Sequence, residues 1–330
     1  MQKSFSPEIG GSRTCPTAPF VTRAGVVRDK GVLILLPFEG ENNLMIQASR
    51  FLAICTIGAA FATSSIAWGQ SYTTVDFPGA IFTALDGGPN PEGTTVGTYT
   101  DTSTVFHGFA LKNGIFTSFD PPGSLVTVPF WISPQGVIVG QYEGSSGADH
   151  GFILDGGQYT TVDYPGAAGT ILTGSNPSGE ISGYYCTGSC TSSHSFVLSK
   201  NGIFTSFDPP GSVSSEATMV NPSGAVTGTY TTSDGVTHGY LLYHGTFTTI
   251  DFPGATLTYV AANNPAGEMT GGYNDAKGVG HAFLLSHGVF TSFDFPGAVY
   301  TGAAGINPGG IVAGEYMDSA GVTHGFIGTP

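Results

Sequence analysis

The stretch Phe290-Thr-Ser-Phe-Asp-Phe-Pro-Gly-Ala-Val-Tyr-Thr-Gly-Ala-Ala-Gly-Ile-Asn-Pro-Gly-Gly-Ile-Val-Ala-Gly-Glu-Tyr-Met-Asp-Ser-Ala-Gly-Val-Thr-His-Gly-Phe326 decides the fold. Short runs of β-branched and aromatic residues alternate in it with Gly, Pro, Asn and Asp, which reads as strands separated by tight turns. One strand spans Phe290 to Asp294 and stops at Pro296-Gly297. A second ends at Ile306, before Asn307-Pro308-Gly309-Gly310. A third covers Ile311 to Tyr316, a polar loop runs from Met317 to Thr323, and a fourth strand opens at His324. Four strands of about five residues with their turns fill about 43 residues, the size of one propeller blade.

The same pattern recurs back to residue 71. The Asp of F-D-x-P-G stands at Asp76, Asp120, Asp163, Asp208, Asp251 and Asp294, with steps of 44, 43, 45, 43 and 43. The His of H-G-F stands at His107, His150, His194, His238, His281 and His324. A fixed period of this length marks a propeller or a solenoid. The mature chain opens with a lone outer strand, Tyr72 to Asp76, and ends with a lone third strand, His324 to Ile327. The expected fold is therefore an all-β, six-bladed β-propeller with four antiparallel strands per blade. It is expected to close through pairing of the N-terminal strand with the C-terminal strand, which would remove two open edges.

The hairpin joining third and fourth strands turns at Asn113-Gly114, Gly156-Gly157, Asn201-Gly202, His244-Gly245 and His287-Gly288. An X-Gly pair between apolar runs predicts a two-residue type I′ turn, which fixes register. In that register the two anchors of the repeat face each other: His107 with Asp120, His150 with Asp163, His238 with Asp251 and His281 with Asp294. The third hairpin, with His194 and Asp208, carries one extra residue, read as a bulge. His324 and Asp76 supply the sixth pair from the two chain ends. Six such pairs far out on a ring cannot converge on one metal or substrate, so the reading is structural: imidazole to carboxylate, with Asp also capping the Pro-Gly turn. No catalytic residue, metal or cofactor is expected from them.

His281-Ala282-Phe283, with H-G-F in most other copies, follows N-P-x-G-x-I-V-x-G and precedes a Gly turn. This pattern resembles the bacterial extracellular HAF repeat over nearly all of residues 71–330. Ser133 and Ser195 depart from it, standing where Asn and Gly or Ala are usual. The resemblance implies secretion and a β-propeller-like fold, and it implies no reaction.

Residues 70–330 hold three Lys, no Arg and 19 acidic residues, a net charge of −16. So acidic a surface repels phosphate backbones, which excludes nucleic acid as a partner. Upstream, Met45-Ile-Gln-Ala-Ser-Arg50 precedes an apolar run from Phe51 to Ala62 and small residues ending at Gly69. This reads as a signal peptide over 45–69, too short for a membrane span. Residues 1–44 then read as a misassigned upstream extension, and 70–330 as one propeller domain with no membrane span in the mature chain. The expected location is secreted: extracellular, cell surface or periplasm. Cys186 and Cys190 suggest a local disulfide there, two free thiols being the alternative.

Two kinds of site fit such a scaffold. One is repeated, an Asp with Phe77, Tyr164, Phe252 or Phe295 on the face of the D-x-P-G loops, suited to multivalent sugar binding unless the rings pack between blades. The other is unique: Asp86, Trp131, Glu216 and Tyr259 break the repeat on the inner strands and would line the central channel. The leading reading is a secreted, non-enzymatic binding module for a glycan or a cell-surface protein. The alternative is a carbohydrate-active hydrolase or lyase using Asp86 and Glu216 as channel acids, which requires the two to converge.

Overall fold

The computed structural model describes residues 71–329, together with the backbone of a two-stranded hairpin, Val26–Asp29 and Val32–Leu35. The rest of residues 1–44, read above as an upstream extension, and all of 45–69, read as a signal peptide, lie outside the described residues. Residues 71–329 form six antiparallel sheets of four strands each. The inner strands of blades 1 to 6 are Phe82–Gly87, Val126–Ile132, Gly169–Ser175, Ser212–Val220, Leu257–Asn263 and Tyr300–Ile306. Each packs against the inner strands of both neighbours, that of blade 6 against that of blade 1, so the six surround one channel.

The expected closure requires correction: no sheet closes on itself. Blade 6 runs Tyr300–Ile306, Val312–Met317, Thr323–Thr329 and finally Ser71–Val75, with Gly325 opposite Val75 and Thr329 opposite Ser71. That pairing yields an open four-stranded sheet with an inner and an outer edge, like every other blade. Open edges are therefore not removed, and the blades are joined by packing and side-chain hydrogen bonds.

Local chemistry accounts for the hairpins. Asn113, His244 and His287 take φ of 52°, 49° and 51°, each followed by a Gly at 77° to 79°, the type I′ geometry that matches strand twist. Blade 3 differs from the expected bulge. Its strands stop at Leu198 and resume at Phe204, and the extra residue opens the turn into a loop held by Ser199 and Ile203. His194 and Asp208 stay opposite because the strands themselves keep register.

Each inner strand carries a β-bulge, falling between Leu85 and Gly87, Pro129 and Trp131, Leu172 and Gly174, Ala217 and Met219, Val260 and Ala262, and Ala303 and Gly305. The bulge brings the inner backbone onto the Gly of V-x-G in the second strand. A Cβ on Gly97, Gly140, Gly183, Gly228, Gly271 or Gly314 would overlap an inner-strand carbonyl oxygen. Only Gly permits so close a backbone approach. Beyond it lies the aromatic of H-x-F: Phe109, Phe152, Phe196, Phe283 and Phe326 have no exposed surface, and Tyr240 takes the place in blade 4. Each such ring stabilises its blade by about 2–3 kcal/mol of apolar burial.

The Asn of N-P-x-G ties blade to blade. Asn176, Asn221 and Asn264 donate from Nδ2 to the main-chain carbonyls of Asn221, Asn264 and Asn307, and Asn90 donates to that of Ser133. The Oδ1 of each accepts two amides of its own turn, as for Glu92 and Thr94 on Asn90. One residue type thus shapes a turn and fastens the next blade.

Candidate functional site

All six His–Asp pairs are hydrogen-bonded through Nδ1. The distances are 2.8 Å for His107 to Asp120, 2.9 Å for His150 to Asp163 and for His194 to Asp208, 3.0 Å for His238 to Asp251 and for His281 to Asp294, and 2.8 Å for His324 to Asp76. In blades 1, 5 and 6 the opposite nitrogen, Nε2, lies 3.7, 3.8 and 3.5 Å from Asp101, Asp275 and Asp318. Those three Asp cap their own loops, Asp101 accepting amides from Ser103 and Val105. The amide bonds, that of Val105 foremost, hold the Asp101 carboxyl below its ordinary range. The Pro-Gly turn is closed instead by Ala80 N to Phe77 O, and the Phe77 amide goes to Thr83 of the next inner strand. The expected Asp cap on that turn is replaced by this threonine.

The loop aromatics are spoken for. Phe77, Tyr164, Phe252 and Phe295 lie flat on Tyr99, Tyr185, Tyr273 and Tyr316 at 3.6–3.7 Å, nearly parallel. The same tyrosines meet the anchor histidines on their other side, Tyr99 at 5.1 Å from His107. Each of the four is half-buried with one face against its tyrosine, so the rings pack into the belt rather than standing free on the loop face.

The channel is built from the bulges. Asp86, Phe130, Thr173, Thr218, Ala261 and Ala304 are the six bulge residues, and all six line a cavity of about 50 Å³ with Trp131, Met219, Gly302 and Glu315. Thr173 and Thr218 are committed to the next blade, donating to the carbonyls of Ala217 and Val260 at 2.8 and 2.9 Å. Thr98 donates to Asp86 Oδ2 at 2.5 Å. Trp131 and Met219 also line a second, more apolar cavity of about 110 Å³ at the N-P turns, ringed by Pro91, Pro134, Pro177, Pro222, Pro265 and Pro308.

The structure brings Asp86 and Trp131 together and leaves Glu216 and Tyr259 out of the channel lining. Both sit on the inner strand two residues before its bulge residue, Glu216 opposite Thr229 and Tyr259 opposite Gly272. Glu216 is 7% exposed, and burial pushes its carboxyl up to about 8. It borders a polar seam between blades 3 and 4, where Ser195 bonds Ser215 at 2.8 Å and Tyr240 at 3.1 Å, and Ser215 donates to Asp208 at 2.6 Å. The departures Ser195 and Tyr240 are thus one feature. Gly151 and Gly239, equivalents of Ser195, instead leave room for Leu172 and Val260 of the next blade, where blade 4 has the smaller Ala217.

Glu315, like Phe130, is a channel residue that sequence reasoning missed. It lies in the second strand, between the Gly and Tyr of the repeat, where the other blades have Thr98, Gln141, Tyr184, Thr229 and Gly272. Variation at this otherwise regular position was the available signal. Beside it, three glycines admit two tyrosines: Gly272 lies under the Tyr259 ring and Gly280 under the Tyr300 ring. A Cβ on Gly302 would stand 2.5 Å from the Tyr300 hydroxyl and 2.9 Å from that of Tyr259. Burial raises both phenols above their ordinary range.

No family model and no curated protein matches the chain. Solved structures do resemble it. A triple-arginine mutant of AofleA from Arthrobotrys oligospora aligns with TM-score 0.52 and 12% identity over 78% of this chain and 86% of that one. A TolB structure from Agrobacterium tumefaciens aligns with TM-score 0.53 and 12% identity over 74% and 89%. A catalytically inactive virginiamycin B lyase from Staphylococcus aureus, with quinupristin, gives TM-score 0.48 and 11% identity over 79% and 99%. At such identities the likeness concerns fold. The class is defined by the sheet topology, six four-stranded antiparallel sheets around one channel: the six-bladed β-propeller.

Proposed function

We propose that this protein is a non-enzymatic binding module that takes its ligand into the central channel. One observation carries the reading: Asp86, Phe130, Trp131 and Glu315, each breaking the repeat, converge on one cavity, while the His–Asp pair recurs in all six blades. The carbohydrate-active alternative needs Asp86 and Glu216 in one pocket, and Glu216 lies outside it. A glycan ligand is tested directly by a glycan array with the full chain. A bound sugar whose retention falls with Trp131→Ala supports a channel lectin, and retention unchanged by that substitution overturns the channel reading.

The H-x-F and N-P-x-G pattern supports placing the chain in the HAF-repeat class, and with it export after removal of residues 45–69. The Cys186–Cys190 bridge supports an oxidising compartment. N-terminal sequencing of the exported protein should begin near residue 70. Retention of residues 1–44 would reject the assignment.

A further inference from the structure

We infer that the cavity at the N-P turns takes a small neutral ring that carries a hydroxyl, a cyclic alcohol or a phenol. This goes beyond the channel reading above, because the site is the second cavity and has its own lining. No Asp, Glu, Lys, Arg or His lines it, so it offers nothing to balance a charged ligand. Its volume of about 110 Å³ suits a single ring and not an oligosaccharide. A dry apolar cavity of about 150 Å³ is known to accept benzene.

The residue before the Asn or Ser that opens each turn sets the chemistry. In blades 1 to 6 it is Pro89, Ile132, Ser175, Val220, Asn263 and Ile306, and all six line the cavity. Blades 6, 1 and 2 thus give a continuous apolar arc, and the two polar positions fall in blades 3 and 5. Ser175 is 7% exposed and Asn263 4%, and neither Ser175 Oγ nor Asn263 Oδ1 has a hydrogen-bond partner within the protein. Trp131 Nε1, on a third lining residue, has none either. Buried polar atoms are nearly always paired, so unpaired ones on the residues of a cavity wall point to a partner that a ligand brings. Asn263 Oδ1 only accepts, Trp131 Nε1 only donates and the serine hydroxyl does either. A ligand hydroxyl, donor and acceptor in one group, matches any of the three. The turn asparagines are already committed, the Oδ1 of Asn90, Asn176, Asn221, Asn264 and Asn307 each accepting an amide of its own turn. An apolar wall with a few polar groups that fix orientation is the usual makeup of a small-molecule site.

Trp131 is the natural reporter. The sequence has two Trp, so the full chain carrying Trp68→Phe emits from Trp131 alone. Titration with cyclohexanol, which does not absorb where tryptophan does, should give a saturable change of that emission. Cyclohexylammonium chloride, the same ring with a charge, and glucose, a ring covered with hydroxyls, should give none. Ser175→Ala removes a hydroxyl that bonds nothing in the protein, so it should leave the melting temperature unchanged. It should weaken cyclohexanol binding by about three- to tenfold. If that variant folds poorly, the discrimination among the three compounds by the chain with Ser175 intact still decides. No saturable response to cyclohexanol, an equal response to cyclohexylammonium or glucose, or affinity unchanged in folded Ser175→Ala overturns the inference. Trp131-dependent retention of a sugar without cyclohexanol binding overturns it too and leaves the channel module standing. Cyclohexanol binding weakened by Ser175→Ala, beside sugar retention indifferent to Trp131, supports the inference and overturns the channel reading alone.

Discussion

The outer belt and the channel ring of this propeller are built from the same repeat and obey opposite rules. In the belt, His, Asp and Tyr recur at the same positions and make the same contacts, from His107 with Asp120 and Tyr99 to His324 with Asp76 and Tyr316. In the channel, the six bulge residues are Asp, Phe, Thr, Thr, Ala and Ala. The belt solves a mechanical problem that every blade shares, so one solution serves six times. In the channel side chains of all six blades meet, so variation there sets the chemistry of the cavity. Chemical identity in this molecule is concentrated where the symmetry breaks.

The comparison can be broken most severely at the chain ends. Deleting residues 71–76 strips blade 6 of its outer strand, exposes the edge of Thr323–Thr329 and removes the carboxylate partner of His324. Loss of the single cooperative melting transition, or aggregation, is expected. A deletion variant that melts like the parent would show that the outer strand contributes nothing to the blade.

Next in size are the glycines between belt and channel. Gly183→Ala or Gly228→Ala places a methyl group on the carbonyl oxygen of Ile171 or Glu216, with Phe196 or Tyr240 behind it. A loss of about 3 kcal/mol is expected in chemical denaturation, near the upper end of overpacking effects. A change under about 0.5 kcal/mol would mean that the bulge relaxes freely.

Glu216 sharpens the contrast between identical and non-identical interfaces. Its carboxyl is raised to about 8 by burial, so the folded protein holds that proton after the unfolded chain has released it. The folded state binds more protons between about pH 4.5 and pH 8, and stability from this group falls as pH rises across that window. Glu216→Gln should therefore gain on the order of 1–3 kcal/mol at pH 7 and next to nothing at pH 4. Parallel stability–pH curves for the two proteins would refute the assignment.

The smallest effect belongs to the belt. The His281 side chain is 22% exposed and that of Asp294 46%, so the pair is partly screened by solvent. His281→Ala and Asp294→Ala should each cost about 1 kcal/mol, and the double variant less than the sum. His107 and Asp120 should behave alike, and ligand binding should change no more than stability does. A binding defect at one pair with stability intact would move the functional site to that blade.

The sequence by itself determined the period, the four strands per blade and the facing of His and Asp. These follow from local chemistry: X-Gly turns fix register, and register fixes which residues are opposed, whatever the rest of the molecule does. The tertiary structure alone decided which side chains see the channel. Strand alternation assigns faces only until a bulge inserts one residue, and here every inner strand has one. That slip brought Phe130 to the cavity and placed Glu216 and Tyr259 behind it. Blade 1 also carries one residue more before Asn90 than blades 2 to 6 carry at the same place, so distance from the Asn-Pro turn does not mark the channel position. Glu315 reached the cavity from a neighbouring strand past Gly302, a proximity that no spacing along one strand records. Periodic, short-range constraints are legible in the chain; the convergence of six blades on one axis is a property of the assembled ring.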